Sequence, residues 1–400
     1  MTPLLIRGIG SLVTNSPDLP GELGIVENAA VSVRDGQIVW VGSDDEIPVA
    51  LQRSTSLDAE GRAVLPGFVD SHTHLVFGGD RVDEFVARLD GASYEEILAS
   101  GGGIHSTIAA TRVAPTDDLV EQSAGRARRM LRSGTTTVEI KSGYGLNVAD
   151  EVRMLQAAGR VGDETGIGVV RTFLGAHVPD RDIVEADYVE IVIEEMLPAA
   201  APHAEFCDVF VDRGAFSIES ARCIFAAAVG YGLAARVHAE QLTHTGAAAL
   251  SAEIGAASAD HLDHATPDDA AALAAAGVVA VMLPGAGFSM RARQAPARML
   301  WDSGVTVALA TDCNPGTSYV ENMQFVIAMA CLEMGLTPDE AVWAATRGGA
   351  KSLKRDDLGI ISVGAKADLV ILDAPSHRHI PYRPGTDLVW KVIKGGDLIG

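Results

Sequence analysis

From Val64 onward, short β-branched runs alternate with amphipathic or Ala-rich stretches. Strands that alternate with helices need crossover connections, and crossovers build a parallel sheet. The pattern predicts strands at residues 64–69, 136–140, 169–173, 206–211, 235–238, 258–261, 278–283 and 305–310. About eight strands over a span of this size is what closes a (β/α)8 barrel with inserted loops. Helices predicted over 117–132 and 267–276 end beside Gly134 and Gly277, where a C-cap sits. An open doubly wound sheet is the alternative, disfavoured by the strand count and by where polar residues fall.

The ends of the chain read differently. Short alternating runs at 4–7, 30–34 and 37–41 are separated by the turn signals Asn15, Pro17 and Asp35-Gly36. The tail after Leu353 resumes that style at 368–372 and 388–392. The expected architecture is therefore α/β: a (β/α)8 barrel over 64–353 and a small β domain composed of 1–63 and 354–400. No internal repeat, low-complexity tract or linker interrupts it.

Composition narrows the function classes. With 48% hydrophobic and 21% charged residues the chain can bury a large core. A net charge of -22 opposes nucleic acid, which demands clustered Lys and Arg, and favours solubility. Cys207, Cys223, Cys313 and Cys331 form no CxxC pair, so neither a disulfide framework nor a thiolate zinc knuckle is suggested. Arg7 interrupts the apolar N-terminal stretch, and Gly277 and Pro284 break the most apolar window, 270–288. A cytoplasmic protein without a membrane span is expected.

The strongest local signal is Pro66-Gly67-Phe68-Val69-Asp70-Ser71-His72-Thr73-His74, an HxH directly after a buried strand. Side chains alternate along a strand, so His72 and His74 project to one side and can share an ion. Further ligand-type residues close later strands: His238, His261 and Asp312. In a β/α barrel these C-terminal ends converge on one rim, where active sites of the fold lie. Neutral imidazoles with one carboxylate suit zinc or ferrous iron, with water completing the shell.

At these positions the sequence resembles the amidohydrolase superfamily, with HxH on the first strand, His on the fifth and sixth, and Asp on the eighth. Longer motifs resemble its imidazolone-hydrolysing branch, which opens a cyclic amide in histidine degradation. They are Gly78-Gly79-Asp80-Arg81, Gly101-Gly102-Gly103-Ile104, 139–146 (EIKSGYGL), 173–177 (FLGAH), His238-Ala239-Glu240-Gln241 and 311–316 (TDCNPG). The resemblance implies that His72, His74, His238 and Asp312 hold one divalent metal, Zn2+ or Fe2+. It places His261 beside the reacting water, and either His261 or Asp312 then serves as proton acceptor. Some relatives bridge two metals with a carboxylated lysine on the fourth strand; residues 206–211 offer none, and Lys141 lies on the second, with an open role.

The resemblance further implies an anionic small-molecule substrate, 4-imidazolone-5-propanoate, and the product N-formimidoyl-L-glutamate. Arg81 is the expected partner of the substrate carboxylate, with Tyr144, His177, Gln241, Asn314, Gly316 and Thr317 also on substrate or product. Where some relatives carry a glutamate, Gln241 cannot take a proton, so ring hydrogen bonding is its expected task. The run 101–103 lacks the Lys and Ser/Thr of a phosphate loop and is read as a flexible loop over the site. The runner-up activity is deamination of an aminated heterocycle of guanine or cytosine type. A catalytically silent interaction protein and a metal-storage module fit less well, because the ligand set is whole and Arg81, Tyr144 and Gln241 serve no mere metal binder. Zinc against iron stays open, as does assembly, a homodimer included.

Overall fold

The computed structural model describes residues 3–92, 101–180 and 183–399. Five strands open the chain: β1 (Leu4–Leu12), β2 (Val26–Arg34), β3 (Gln37–Ser43), β4 (Thr55–Asp58) and β5 (Ala63–Pro66). Eight follow, separated by helices: β6 (Phe68–Asp70), β7 (Thr135–Lys141), β8 (Gly168–Ala176), β9 (Phe206–Val211), β10 (Ala234–Ala239), β11 (Ser258–His261), β12 (Val279–Met282) and β13 (Val307–Leu309). Consecutive members of this set pair in parallel, in the order β6 to β13. Just past β6 and β13 the chain ends meet: Asp312 N donates to His72 O at 3.0 Å, and His74 N to Cys313 O at 3.0 Å. The expected (β/α)8 barrel is thus present, nearly closed.

Three last strands, β14 (Leu369–Leu372), β15 (Val389–Lys394) and β16 (Asp397–Ile399), return to the N-terminal set. They complete a second sheet in the order β16-β15-β14-β5-β1-β2-β3, with β4 beside β1. This small β domain, built from both termini, buries its own apolar set, including Ile6, Ile9, Val31, Val64, Leu369 and Ile393.

One strand assignment needs correcting. Residues 64–69, read as a single strand, are two. Ala63–Pro66 pairs with β1 and β14, whereas Phe68–Asp70 begins the barrel. The handover occurs at Gly67, whose N–H donates to Asp368 O while the next amide, Phe68 N, donates to Gly134 O, both at 2.9 Å. Buried apolar side chains on both segments satisfy either sheet, so periodicity carries no mark of the switch.

The helix over Pro267–Ala276 forms as expected, opened by a capping box between Thr266 and Asp269. Asn15 links the two sheets' surroundings: its Nδ2 donates to Thr346 Oγ1 and to Gly359 O, each at 2.8 Å. Its backbone sits at φ 55°, which Asn tolerates better than other side chains. Asn15→Ala should therefore cost about 2 to 4 kcal/mol of unfolding free energy, from a buried carbonyl left unpaired plus backbone strain. A denaturant titration checks this, and an unchanged midpoint would contradict the linking role.

Candidate metal centre

The sequence HxH lies on the stretch leaving β6, His238 near the end of β10, His261 at the end of β11, and Asp312 shortly after β13. All five side chains are buried and converge on one rim. His72 is the hub: its ring lies 5.4 Å from His74, 4.5 Å from His238 and 5.5 Å from His261, between centroids. Nε2 of His72 and Nε2 of His74 are each 3.6 Å from Asp312 Oδ1. Ligand atoms at 2.0–2.2 Å around a tetrahedral ion lie about 3.4 Å apart, so this spacing suits a shared cation. Two sets of potential donors result, His72 with His238 and His261, and His72 with His74 and Asp312, each within 4.8 Å.

A second test concerns unpaired atoms. His72 Nε2, His74 Nδ1, His238 Nε2 and His261 Nδ1 are buried and have no hydrogen-bond partner among the described residues. Orphaned polar atoms of this kind are rare in folded proteins, and the Nε2 atoms of His72 and His238 among them are what an ion would satisfy. Burial pushes His72, His74 and His261 well below the usual imidazole range, so they are neutral and keep a lone pair for ligation. The same burial raises the Asp312 carboxyl well above its ordinary value. A divalent cation reverses that preference by favouring the carboxylate.

Beneath these ligand candidates lies a layer that sequence reasoning missed. His72 Nδ1 is 2.7 Å from Asp260 Oδ2, and His238 Nδ1 is 3.0 Å from Asp208 Oδ2. Asp260 also accepts from Arg236 Nη2 at 3.1 Å, and Lys141 Nζ reaches Asp208 at 2.8 Å and Glu139 at 2.9 Å. Every one of these charged side chains is fully buried. Burial alone would lower the Lys141 pKa, but Asp208 and Glu139 outweigh it and hold the ammonium above its usual value. Three carboxylates against two cations leave a formal negative charge in a dry interior, which a bound cation offsets. The available signal was a charge inside an apolar strand: Arg236 shares a face with His238, and Glu139 with Lys141.

Around the rim, His177 stacks on His74 at 5.0 Å and Tyr144 lies 5.5 Å from His177. Burial takes the His177 imidazole down to about 3 and raises the Tyr144 phenol. Gly143, at φ 106°, lets the two approach: a Cβ there would meet His177 Nδ1 at 2.9 Å. Buried Glu151 accepts from the amides of Gly143, Gly145 and Leu146 and so fixes the turn that carries Tyr144. Asn314 faces inward on its own turn: Oδ1 accepts from Gly316 N and Thr317 N at 2.8 Å, and Nδ2 donates to Asp312 O at 2.7 Å. Thr317 Oγ1 approaches Asp312 Oδ2 at 3.4 Å. Gln241 follows β10, half-buried, beside a buried Glu240 whose carboxylate accepts from the amides of 245, 246 and 248.

Arg81 lies on the segment after the HxH, where its Nε donates to Glu84 at 2.8 Å. The other Glu84 oxygen accepts from Gly103 N at 3.0 Å and Ser106 Oγ at 3.1 Å. The glycine run read as a flexible loop is therefore anchored at Gly103 to the carboxylate that orients Arg81. Residues 93–100 lie outside the described set. A Cβ on Gly316 would meet Arg81 Nη1 at 2.2 Å, and the guanidinium cannot swing aside without breaking its pair with Glu84. Gly316→Ala should consequently raise KM several-fold to about tenfold with metal content unchanged, as part of a charge-assisted contact is lost. Steady-state kinetics with metal analysis tests this, and an unaltered KM would separate Arg81 from substrate.

Residues 63–399 match the model described as the amidohydrolase family. An imidazolonepropionase of Mycolicibacterium smegmatis is 53% identical over 403 residues, covering 100% of this chain and 98% of its own. One of Streptomyces griseus is 49% identical, covering 100% of both chains. Among solved structures, triazine hydrolase from Arthobacter aurescens superposes with a TM-score of 0.79 at 19% identity, covering 100% of this chain and 94% of its own. An adenosine deaminase of Xanthomonas campestris with bound zinc gives 0.74 at 20% identity, covering 99% and 92%. At such identities the structural likeness speaks for the fold alone.

Proposed function

We infer, on the premise that the chain belongs to the amidohydrolase family and within it to the imidazolonepropionases, that it opens the ring of 4-imidazolone-5-propanoate to give N-formimidoyl-L-glutamate in histidine degradation. The carrying observation is whole-length identity near one half to imidazolonepropionases. The enzyme is a hydrolase acting on the carbon–nitrogen bond of a cyclic amide. Water adds its oxygen to the ring carbonyl carbon, the C–N bond breaks, and the departing nitrogen receives a proton.

His72, His74, His238 and Asp312 are proposed to hold one divalent ion, Zn2+ or Fe2+. The unpaired Nε2 atoms of His72 and His238 support this, as does the spacing of Asp312 from both HxH rings. When bound, such an ion acidifies a water and polarises the ring carbonyl. His261 is assigned to accept the water proton and return it to the leaving nitrogen, with Asp312 as the other acceptor within reach. Arg81 is assigned to the propionate, Tyr144 and His177 to the ring and its substituents, and Gln241 to a hydrogen bond with the ring. Asn314, Gly316 and Thr317 shape the turn that borders the product. Four free cysteines are consistent with a reducing cytoplasm, and among the described residues no helix is long and apolar enough to cross a membrane.

Three measurements test the reading. Substrate depletion should proceed without ammonia; its stoichiometric release would mean deamination instead. His238→Ala should lose most metal and turnover, whereas His261→Ala should lose turnover and keep its metal. Equal metal loss in the two variants would make His261 a ligand. Arg81→Met should lower kcat/KM by about 10- to 150-fold, mostly through KM, because a charge-assisted hydrogen bond contributes about 1.5–3 kcal/mol. An analogue lacking the propionate should be poor already and be hurt little further; equal damage to both substrates would remove Arg81 from the carboxylate.

A further inference from the structure

We propose that Lys141 is a positioning residue of the metal centre: its ammonium holds Asp208 and Asp260 in place, and their carboxylates fix His238 and His72 with Nδ1 protonated and Nε2 turned to the ion. This rests on the assignment of His72 and His238 as ligands.

The geometry runs through one nitrogen. Lys141 Nζ lies 2.8 Å from Asp208 Oδ2, 2.9 Å from Glu139 Oε1 and 3.8 Å from Asp260 Oδ2. Asp208 then meets His238 twice, accepting from its backbone N at 3.2 Å and lying 3.1 Å from its Nδ1 through Oδ1. Asp260 meets His72 Nδ1 at 2.7 Å. Glu139 Oε2 accepts from Thr73 N at 3.2 Å, between the two histidines of the HxH. An ionised carboxylate only accepts, so each contacted Nδ1 carries the hydrogen and the lone pair is left on Nε2. Those are the two Nε2 atoms that have no partner among the described residues.

Two rival roles fare worse. Lys141 as simple barrel filling would be served by an apolar side chain of similar volume. Burying an ammonium among carboxylates costs several kcal/mol per ion, and apolar replacement of such clusters is often neutral or stabilising. Lys141 as a carboxylated bridging ligand would place a new anion beside Glu139, Asp208 and Asp260, where like charges repel.

The test uses metal-free full-length protein. Zn2+ affinity is read by competition with a chromophoric chelator, and ligand geometry by the visible spectrum of the Co2+ form. Lys141→Met should weaken Zn2+ binding 10- to 100-fold and shift the Co2+ bands. Its KM should stay near the unsubstituted value, because Arg81 sits on another segment and buried Glu151 independently fixes the turn that carries Tyr144. A lowered melting temperature with unchanged Zn2+ affinity and Co2+ spectrum would show mere packing and overturn the proposal. The charge-balanced double variant, Lys141→Met with Asp208→Asn, removes one cation and one carboxylate together. Asp208 is the nearer carboxylate at 2.8 Å, and Asp260 keeps Arg236 at 3.1 Å, so Lys141 should add little there and the double should bind Zn2+ about as weakly as Asp208→Asn alone. Where Lys141→Met does not fold, these two variants carry the test, and unsubstituted affinity in Asp208→Asn overturns the proposal. Failure of the unsubstituted chain to bind Zn2+ or Co2+ would instead refute the metal reading itself.

Discussion

The seam where the barrel closes is the constraint on which the site depends. Asp70 at the end of β6 accepts from Thr311 N at 3.0 Å and from Thr311 Oγ1 at 2.6 Å, across 241 positions of sequence. The reciprocal bonds from Asp312 to His72 and from His74 to Cys313 lie one step further along the same seam. The residues that close the sheet are thus the residues proposed to hold the ion, or their direct neighbours. Ligand geometry at this seam is fixed by the whole fold. Two of the candidates, His261 at φ 76° and Asp312 at φ 53°, occupy the left-handed region that non-glycine residues avoid. Such strain costs on the order of 1–3 kcal/mol and persists only where surrounding bonds overdetermine the backbone. At Asp312 the seam and the turn around Asn314 supply those bonds, and beside His261 the amide of Leu262 donates to Ala239 O at 2.9 Å.

Charge is distributed against the trend of the whole chain. The protein is strongly acidic, yet the rim beside the seam gathers cations. Arg88 Nη1 donates to Gly316 O at 3.3 Å, and Arg81 covers the same glycine. Burial first, and the neighbouring Arg81 second, lower the Arg88 pKa. Glu84 neutralises only part of that charge. With Arg81 in its proposed role, an anionic tail arriving there relieves the remainder, so an acidic enzyme can attract an acidic substrate to one place while repelling it elsewhere.

Much of this was legible in the sequence because strand ends in a barrel converge whatever lies between them. Residues 206–211 and 258–261 match β9 and β11 at both ends, and the ligand-type residues lay at strand termini that the fold must bring together. The legible part stops at residues whose role depends on a partner across the barrel. Asp208, Asp260 and Arg236 are single charges within apolar runs, and nothing local tells a buried ion pair from a register irregularity. Asn314 shows the opposite limit: its side chain is engaged within its own turn, so its influence on a ligand passes through the backbone it arranges. The glycine run looked mobile because composition reports backbone freedom, while the Glu84 contact that anchors Gly103 is non-local.

Relatives of this fold at about one-fifth identity include a triazine hydrolase and an adenosine deaminase, so the barrel cannot itself select a substrate. Selection has to come from side chains rather than from the shared fold. The Arg81, Glu84 and Gly316 interlock has the properties required. It joins the segment after the HxH to the segment after Asp312, so it spans the same seam as the ligands. Its position relative to the proposed metal ligands is then set by the closure of the sheet. The missing side chain at Gly316 is as much a part of that interlock as the guanidinium it admits.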